Sequence, residues 1–163
     1  MDLSSFGLED LLLAALKSEA ESKDVYATLA DRVKNAILKR RLQFLADEEE
    51  KHREFVQAVY KKNFPQKKVK LPKETPVPLP TLKIPDESVP LSTVFDTAME
   101  AELASRDFYK GLVNHFEDAS IQQTLQYFSA MEMTHYTILK AEQETIKRFE
   151  QFDEEWPMMN VGP

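Results

Sequence analysis

Glu49 and His52 lie three residues apart, and so do Glu132 and His135. Residues three apart on a helix share a face, so each E-x-x-H pair offers a carboxylate oxygen and an imidazole nitrogen in one direction. The pairs are separated by 83 residues, and each has a further glutamate, Glu19 or Glu102, 30 residues upstream. Donors of this kind suit iron or manganese, with zinc as a third candidate. The chain has no cysteine, which excludes disulfides, cysteine-bound zinc and iron–sulfur centres. Any metal must be held by carboxylates and imidazoles.

A lone E-x-x-H in an acidic helical chain is ordinarily part of a solvated salt-bridge face. Here the charges fall on apolar stripes with 3-4-3-4 spacing, where a plain bundle places Leu or Ala. The stripes are Leu12, Ala15, Glu19, Ser22, Tyr26, Leu29, Val33; then Leu38, Leu42, Leu45, Glu49, His52, Val56, Val59. Past the middle of the chain come Leu91, Phe95, Ala98, Glu102, Ser105, Tyr109, Leu112, Phe116, then Ile121, Leu125, Phe128, Glu132, His135, Leu139. Unpaired buried carboxylates are costly and repel one another, so something must neutralise these four. Two divalent metal ions do so with a net charge of zero, and a Glu from each of two helices plus an E-x-x-H from each of the others is a dimetal carboxylate ligand set. A metal-free bundle that has lost the site is the alternative. Tyr26 and Tyr109, two turns beyond Glu19 and Glu102, read either as core aromatics or as groups whose hydroxyls orient bridging carboxylates.

The elements that must position these residues are four helices, predicted over about 8–34, 36–63, 92–116 and 119–156. Asn35 and Asp118 stand where a side-chain oxygen can cap the second and fourth. The 83-residue shift that relates the metal-binding candidates also lays Ser22 on Ser105, Tyr26 on Tyr109, Asn35 on Asp118 and Leu42 on Leu125, without a gap. An internal repeat of a helical hairpin implies a pseudo-two-fold axis. Seven of the nine prolines fall between Pro65 and Pro90. Proline removes backbone donors, so this stretch is a connector, with a maximum reach of about 80 Å at roughly 3.1 Å per residue. The expectation is one all-α domain over 1–163: two antiparallel hairpins of a four-helix bundle joined by a long Pro-rich crossover.

The segments Glu19–Tyr26, Ala46–His52, Glu102–Tyr109 and Glu132–His135 resemble the rubrerythrin branch of the ferritin-like di-iron carboxylate superfamily, over about residues 8–145. The resemblance implies that Glu19 and Glu102 are terminal ligands, one per metal. It implies that Glu49 and Glu132 bridge and that His52 and His135 cap opposite ends of the pair. It further implies two irons per chain and an oxidoreductase of peroxidase or ferroxidase type, reducing peroxide or dioxygen. Two departures stand out. Rubrerythrins proper carry a cysteine-ligated domain that feeds electrons to the centre, so here the donor must be a separate protein. They also carry an extra carboxylate one turn past the third helix's glutamate, and this chain has Ser105 there. A non-catalytic iron or manganese binding or storage protein, or a bundle merely stapled by metal, are the alternatives.

The net charge of −7 argues against a nucleic-acid binder. The longest early apolar run, Leu11–Leu16, is too short for a signal peptide core or a membrane span, which predicts a cytoplasmic protein. His115 reads as a surface residue, and Met131 and Met133 as core filling. Of Asp47, Glu48, Glu49 and Glu50, only Glu49 is expected inward. The lysines at 61, 62, 67, 68, 70 and 73 read as a solvated start to the connector, or as a docking site for an acidic partner. Apolar positions continue past His135 through Ile146, Phe149, Phe152 and Trp156, a surplus stripe that predicts a homodimer unless the connector covers it.

Overall fold

The computed structural model describes residues 2–80 and 82–155, with side chains as far as Arg148. It contains α1 (Leu8–Arg32), α2 (Ala36–Asn63), α3 (Leu91–Leu112) and α4 (Ala119–Glu155), with a short 3-10 turn at Val113–His115. No strand occurs among the described residues. The chain is an all-α, ferritin-like four-helix bundle, in which α1 pairs with α2 and α3 with α4. No helix among the described residues is long and apolar enough to cross a membrane.

The predicted caps form at equivalent positions of the repeat. Asn35 Oδ1 accepts from the N–H groups of Ile37 and Leu38 at 2.9 and 3.1 Å. Asp118 Oδ1 accepts from Ser120 and Ile121 at 3.0 and 3.4 Å. Two predicted helix ends are too long. The first helix stops at Arg32 rather than 34, because Val33 is extended (φ −79°, ψ 138°) and its N–H closes the last turn on the Leu29 carbonyl. The third stops at Leu112 rather than 116, because the chain tightens into the 3-10 turn and Phe116 turns extended. Phe116 is still buried. The predicted end at 156, with Trp156, lies outside the described residues.

The apolar core is divided. One cluster gathers Leu11, Leu12, Val56, Tyr60, Leu112 and Leu125 around the start of α1. The other gathers Tyr26, Leu29, Leu42, Phe95, Ala98 and Leu139 around its end. Polar residues occupy the layer between them. The Pro-rich crossover runs alongside α1 from one cluster to the other. At its start Lys67 Nζ pairs with Glu9, and Val77 is buried in the first cluster. Leu82 is buried in the second cluster, and Arg32 Nη1 donates to the Pro85 carbonyl at 2.7 Å. The span from Glu9 to Arg32 is about 35 Å of helix, far less than the extended reach of the connector. The slack is taken up in short turns, such as Lys67 N–H to the Phe64 carbonyl and Val89 N–H to Asp86.

Candidate metal centre

Each hairpin contributes three donors to the layer between the clusters. Glu19 comes from α1, Glu49 and His52 from α2, Glu102 from α3, and Glu132 and His135 from α4. All six are buried, none more than 3% exposed. Helix periodicity explains their convergence: each sits on the stripe that its neighbours carry into the core.

The two histidines face their carboxylates in the same manner. His52 Nδ1 lies 3.1 Å from Glu132, 3.5 Å from Glu49 and 3.6 Å from Glu19. His135 Nδ1 lies 3.2 Å from Glu49, 3.3 Å from Glu132 and 3.5 Å from Glu102. The donor atoms form two groups, Glu19–Glu49–His52–Glu132 and Glu49–Glu102–Glu132–His135, each within 4.8 Å. Glu49 and Glu132 belong to both. A carboxylate common to two such groups could bridge two cations, while Glu19 and Glu102 each belong to one group. The structure thus brings together all six predicted residues.

The atoms themselves call for cations. Both nitrogens of His52 and of His135, both oxygens of Glu132 and one of Glu49 are buried without a hydrogen-bond partner. Leaving that many polar atoms unpaired in one layer is very costly, and metal coordination is the arrangement that uses them. In the metal-free chain, protons must do the neutralising. Burial, reinforced by the charge of Glu49, pushes the Glu19 and Glu102 carboxyls well above the ordinary range. Burial also opposes charge on Glu49 and Glu132, but the facing imidazoles prevail and hold both below that range. His52 resists burial in the same way and is pushed up to about 12 by Glu132, Glu19 and Glu49. His135 is likewise pushed up by Glu102, Glu132 and Glu49. Two imidazolium ions against two carboxylates, with two neutral acids, sum to zero. Four carboxylates, two neutral imidazoles and two divalent ions also sum to zero, so the residues fit a dimetal centre.

The tyrosines act across the repeat. Tyr26 donates its hydroxyl to Glu102 and Tyr109 donates to Glu19, each reaching the opposite hairpin. The sequence allowed two readings, core aromatics or groups whose hydroxyls orient bridging carboxylates; in the structure the hydroxyls reach Glu102 and Glu19, because α1 and α3 run antiparallel and place each tyrosine opposite the partner helix's glutamate. Burial pushes both phenols well above their ordinary range, so they remain donors.

Three smaller expectations are corrected. Glu48 is buried as well as Glu49, its carboxylate paired with Lys51 at 2.5 Å. Met133 is exposed rather than core filling, with its sulfur 3.6 Å from Arg106 Nη1, whereas Met131 is half-buried. His115 is half-buried in the 3-10 turn, off the stripe. The striped sequence did not reveal that Phe128 packs its ring 4.0 Å from that of His52.

The family model described as Rubrerythrin matches residues 10–143. The chain belongs to the rubrerythrin family. This rubrerythrin-family chain is 30% identical to a hypothetical protein from Pyrococcus furiosus, covering 90% of this chain and 94% of that one with a TM-score of 0.80. It is 20% identical to the manganese catalase KatB from Anabaena, with a TM-score of 0.62 over 85% of this chain and 73% of that one. A second KatB structure, from Anabaena PCC7120, gives 0.60 over 90% and 78%, also at 20% identity. At that identity the likeness shows the fold. No curated protein matches the sequence. The family and the cluster together describe a ferritin-like carboxylate protein whose six donors could hold two metal ions.

Proposed function

We propose that this protein is a di-iron oxidoreductase that reduces peroxide to water with electrons from a separate donor protein. The observation that carries the proposal is the pair of donor groups sharing Glu49 and Glu132. Two ferrous ions, when bound, supply together the two electrons needed to split an O–O bond, with two protons completing two waters. The chain's own residues set the conditions. Glu49 and Glu132, common to both donor groups, would hold two such ions close enough to act together. The Tyr26 and Tyr109 hydroxyls fix the Glu102 and Glu19 carboxylates, which otherwise could swing away. Ser22 and Ser105, one turn beyond Glu19 and Glu102, are small enough to leave room for an exogenous ligand, the feature that separates a reactive site from a closed one. The two core clusters above and below exclude bulk water.

Stopped-flow oxidation of the anaerobic iron-loaded protein tests this. Peroxide is expected to oxidise it faster than dioxygen does, and Ser105→Glu, which restores the family's extra carboxylate, is expected to speed the peroxide reaction. If neither oxidant produces a ferric absorption band within minutes, the protein is an iron or manganese binder rather than an oxidoreductase. The likeness to a manganese catalase supports testing manganese-loaded protein alongside. We place the protein in the cytoplasm, as a homodimer built on the stripe that begins at Ile146; Phe149, Phe152 and Trp156 lie outside the described side chains.

A further inference from the structure

The internal repeat relates the two ends of the bundle, yet they are filled differently. At one end Phe108 and Phe116 are buried in the first apolar cluster. The residues 83 positions earlier are Val25 and Val33. Beside these two valines the crossover, α1 and α3 border a groove of two chambers, which share Pro85, Val89 and Val94. The outer chamber, about 420 Å³, opens to solvent beside Leu29, Val33 and Leu91. The inner one, about 100 Å³, lies between Val25, Ala98 and the buried Leu82 of the crossover. Phenyl rings fill one end; at the equivalent positions of the other, valines leave space.

The groove leads toward the six donors. On α1 its wall runs from Leu29 to Val25, and Ser22 is the next residue on that face. On α3 it runs from Val94 to Ala98, and Glu102 follows. Residues three or four apart share a helix face, so the inner chamber ends one turn short of the donor layer. Both histidines and both shared glutamates come from α2 and α4. The α1–α3 side gives only one carboxylate to each donor group, which leaves it as the side an external molecule approaches. The charged and hydroxyl-bearing residues of the groove, Arg32, Lys83, Asp86, Glu87, Thr93 and Thr97, are all exposed and stand at its rim. Its deeper walls are hydrocarbon. Hydrogen peroxide has no apolar surface to bury there and leaves its hydroxyls without partners, whereas a molecule with an apolar body gains by burying it.

We propose that this groove binds the apolar body of an organic hydroperoxide and presents its O–O bond to the donor layer. This rests on the proposed function and extends its substrate class to alkyl and aryl-alkyl hydroperoxides. The O–O bond breaks with two electrons from two ferrous ions held by the six donors and two protons from solvent. The products are the corresponding alcohol and one water, and the alcohol leaves by the groove. Val25 and Val33 set the selectivity, because phenylalanine at the equivalent positions closes the other end.

Cumene hydroperoxide and its reduction product, 2-phenyl-2-propanol, are the probes. The alcohol is added to zinc-loaded protein, which is redox-inert, and is expected to shift the amide signals of Val25, Leu29, Val33, Leu82 and Ala98 saturably. Val25→Phe and Val33→Phe each install the residue found at the equivalent position, and each is expected to weaken this binding at least about tenfold. Anaerobic iron-loaded protein is then mixed with either peroxide in a stopped flow. Each variant is expected to lower the ratio of the cumene hydroperoxide rate to the hydrogen peroxide rate at least about tenfold. Metal content and melting temperature should stay those of the wild type; if one variant does not fold, the other and the wild-type shifts decide. Absent shifts in the wild type, shifts confined to another face, or an unchanged rate ratio in folded variants overturn the inference. Equal slowing of both peroxides also overturns it, since the groove is then a general entrance and not a substrate site. Shifts that follow protein concentration instead of the alcohol overturn it too, since a second copy then fills the groove. A wild type that takes up no metal, or gives no ferric band with either peroxide, overturns the proposed function and this inference with it. A ferric band from hydrogen peroxide with an unchanged rate ratio overturns this inference alone.

Discussion

Glu49 and Glu132 are the residues on which both donor groups depend, and their truncation separates bridging from terminal roles. Glu49→Ala or Glu132→Ala is expected to lose both metal ions, whereas Glu19→Ala should weaken the group around His52 first. Elemental analysis after anaerobic loading and desalting reads the difference; equal, single-ion losses in all variants would contradict a shared bridge. The tyrosines act one step further out. Tyr109→Phe removes the hydrogen bond to Glu19 and leaves the ring in place. Groups that orient metal ligands typically account for about 10- to 100-fold in affinity, so competition against a chelator should show a loss of that size. Tyr26→Phe should match it through Glu102. A change in only one of the two would mean that the repeat symmetry does not extend to function.

At the scale of elements, the two hairpins are held by the same devices at equivalent positions. Asn35 and Asp118 each satisfy two N–H groups at a helix start. Replacing Asn35 with Ala is expected to cost about 1 kcal/mol, or about 2–4 °C in the melting temperature of a chain this size. Asp118→Ala removes in addition the 2.9 Å pair with Lys62, which is exposed and adds little. Thermal unfolding of the chelated protein measures both. The crossover connects the hairpins at opposite ends of the bundle, which is why it must be long. Among the described residues its anchors include Val77 and Leu82 in the core, Val69 and Leu79 packed against the first cluster, Pro85 beside Arg32 and Lys67 beside Glu9.

For the whole molecule, protons neutralise one buried layer that metal ions would otherwise neutralise, and the two respond oppositely to pH. In the metal-free fold Glu19, Glu102, His52 and His135 all have raised pKa values. A group raised on folding stabilises the fold below its unfolded pKa and loses that contribution as pH rises toward its folded pKa. The unfolded values are 4.5 for the two glutamates and 6.5 for the histidines. The metal-free protein should therefore become less stable between about pH 5 and pH 8. Glu49 and Glu132, lowered on folding, are ionised in both states across that window and give no slope there. Metal needs deprotonated ligands, so its affinity rises over the same range. The melting temperatures of loaded and chelated protein should diverge from pH 5 to pH 8, and loading in unbuffered solution at neutral pH should release protons. Coincident melts at pH 8 would mean that no metal neutralises the layer. Light scattering at tens of micromolar checks the assembly separately: a dimeric mass is expected, and a monomeric one rejects the homodimer.

Helix periodicity, the 83-residue repeat and the two E-x-x-H pairs make the bundle and its six inward-pointing polar residues legible in the sequence. A helix of fixed pitch turns spacing along the chain into a direction in space. Glu19, Glu49, His52, Glu102, Glu132 and His135 interrupt apolar stripes, and an interrupted stripe still points at the axis. The same reasoning could not say which residues meet across helices. Tyr26 meets Glu102 rather than its own helix's Glu19, and Phe128 meets His52 rather than His135. Those pairings depend on the antiparallel approach of α1 to α3 and the close placement of α2 against α4. Relative helix position is set by packing of whole faces, which leaves no local mark in the sequence. Glu48 shows the same limit: it is buried beside Glu49 although it lies off the stripe of α2. Local periodicity determines what turns inward on each helix; only tertiary packing decides what it meets there.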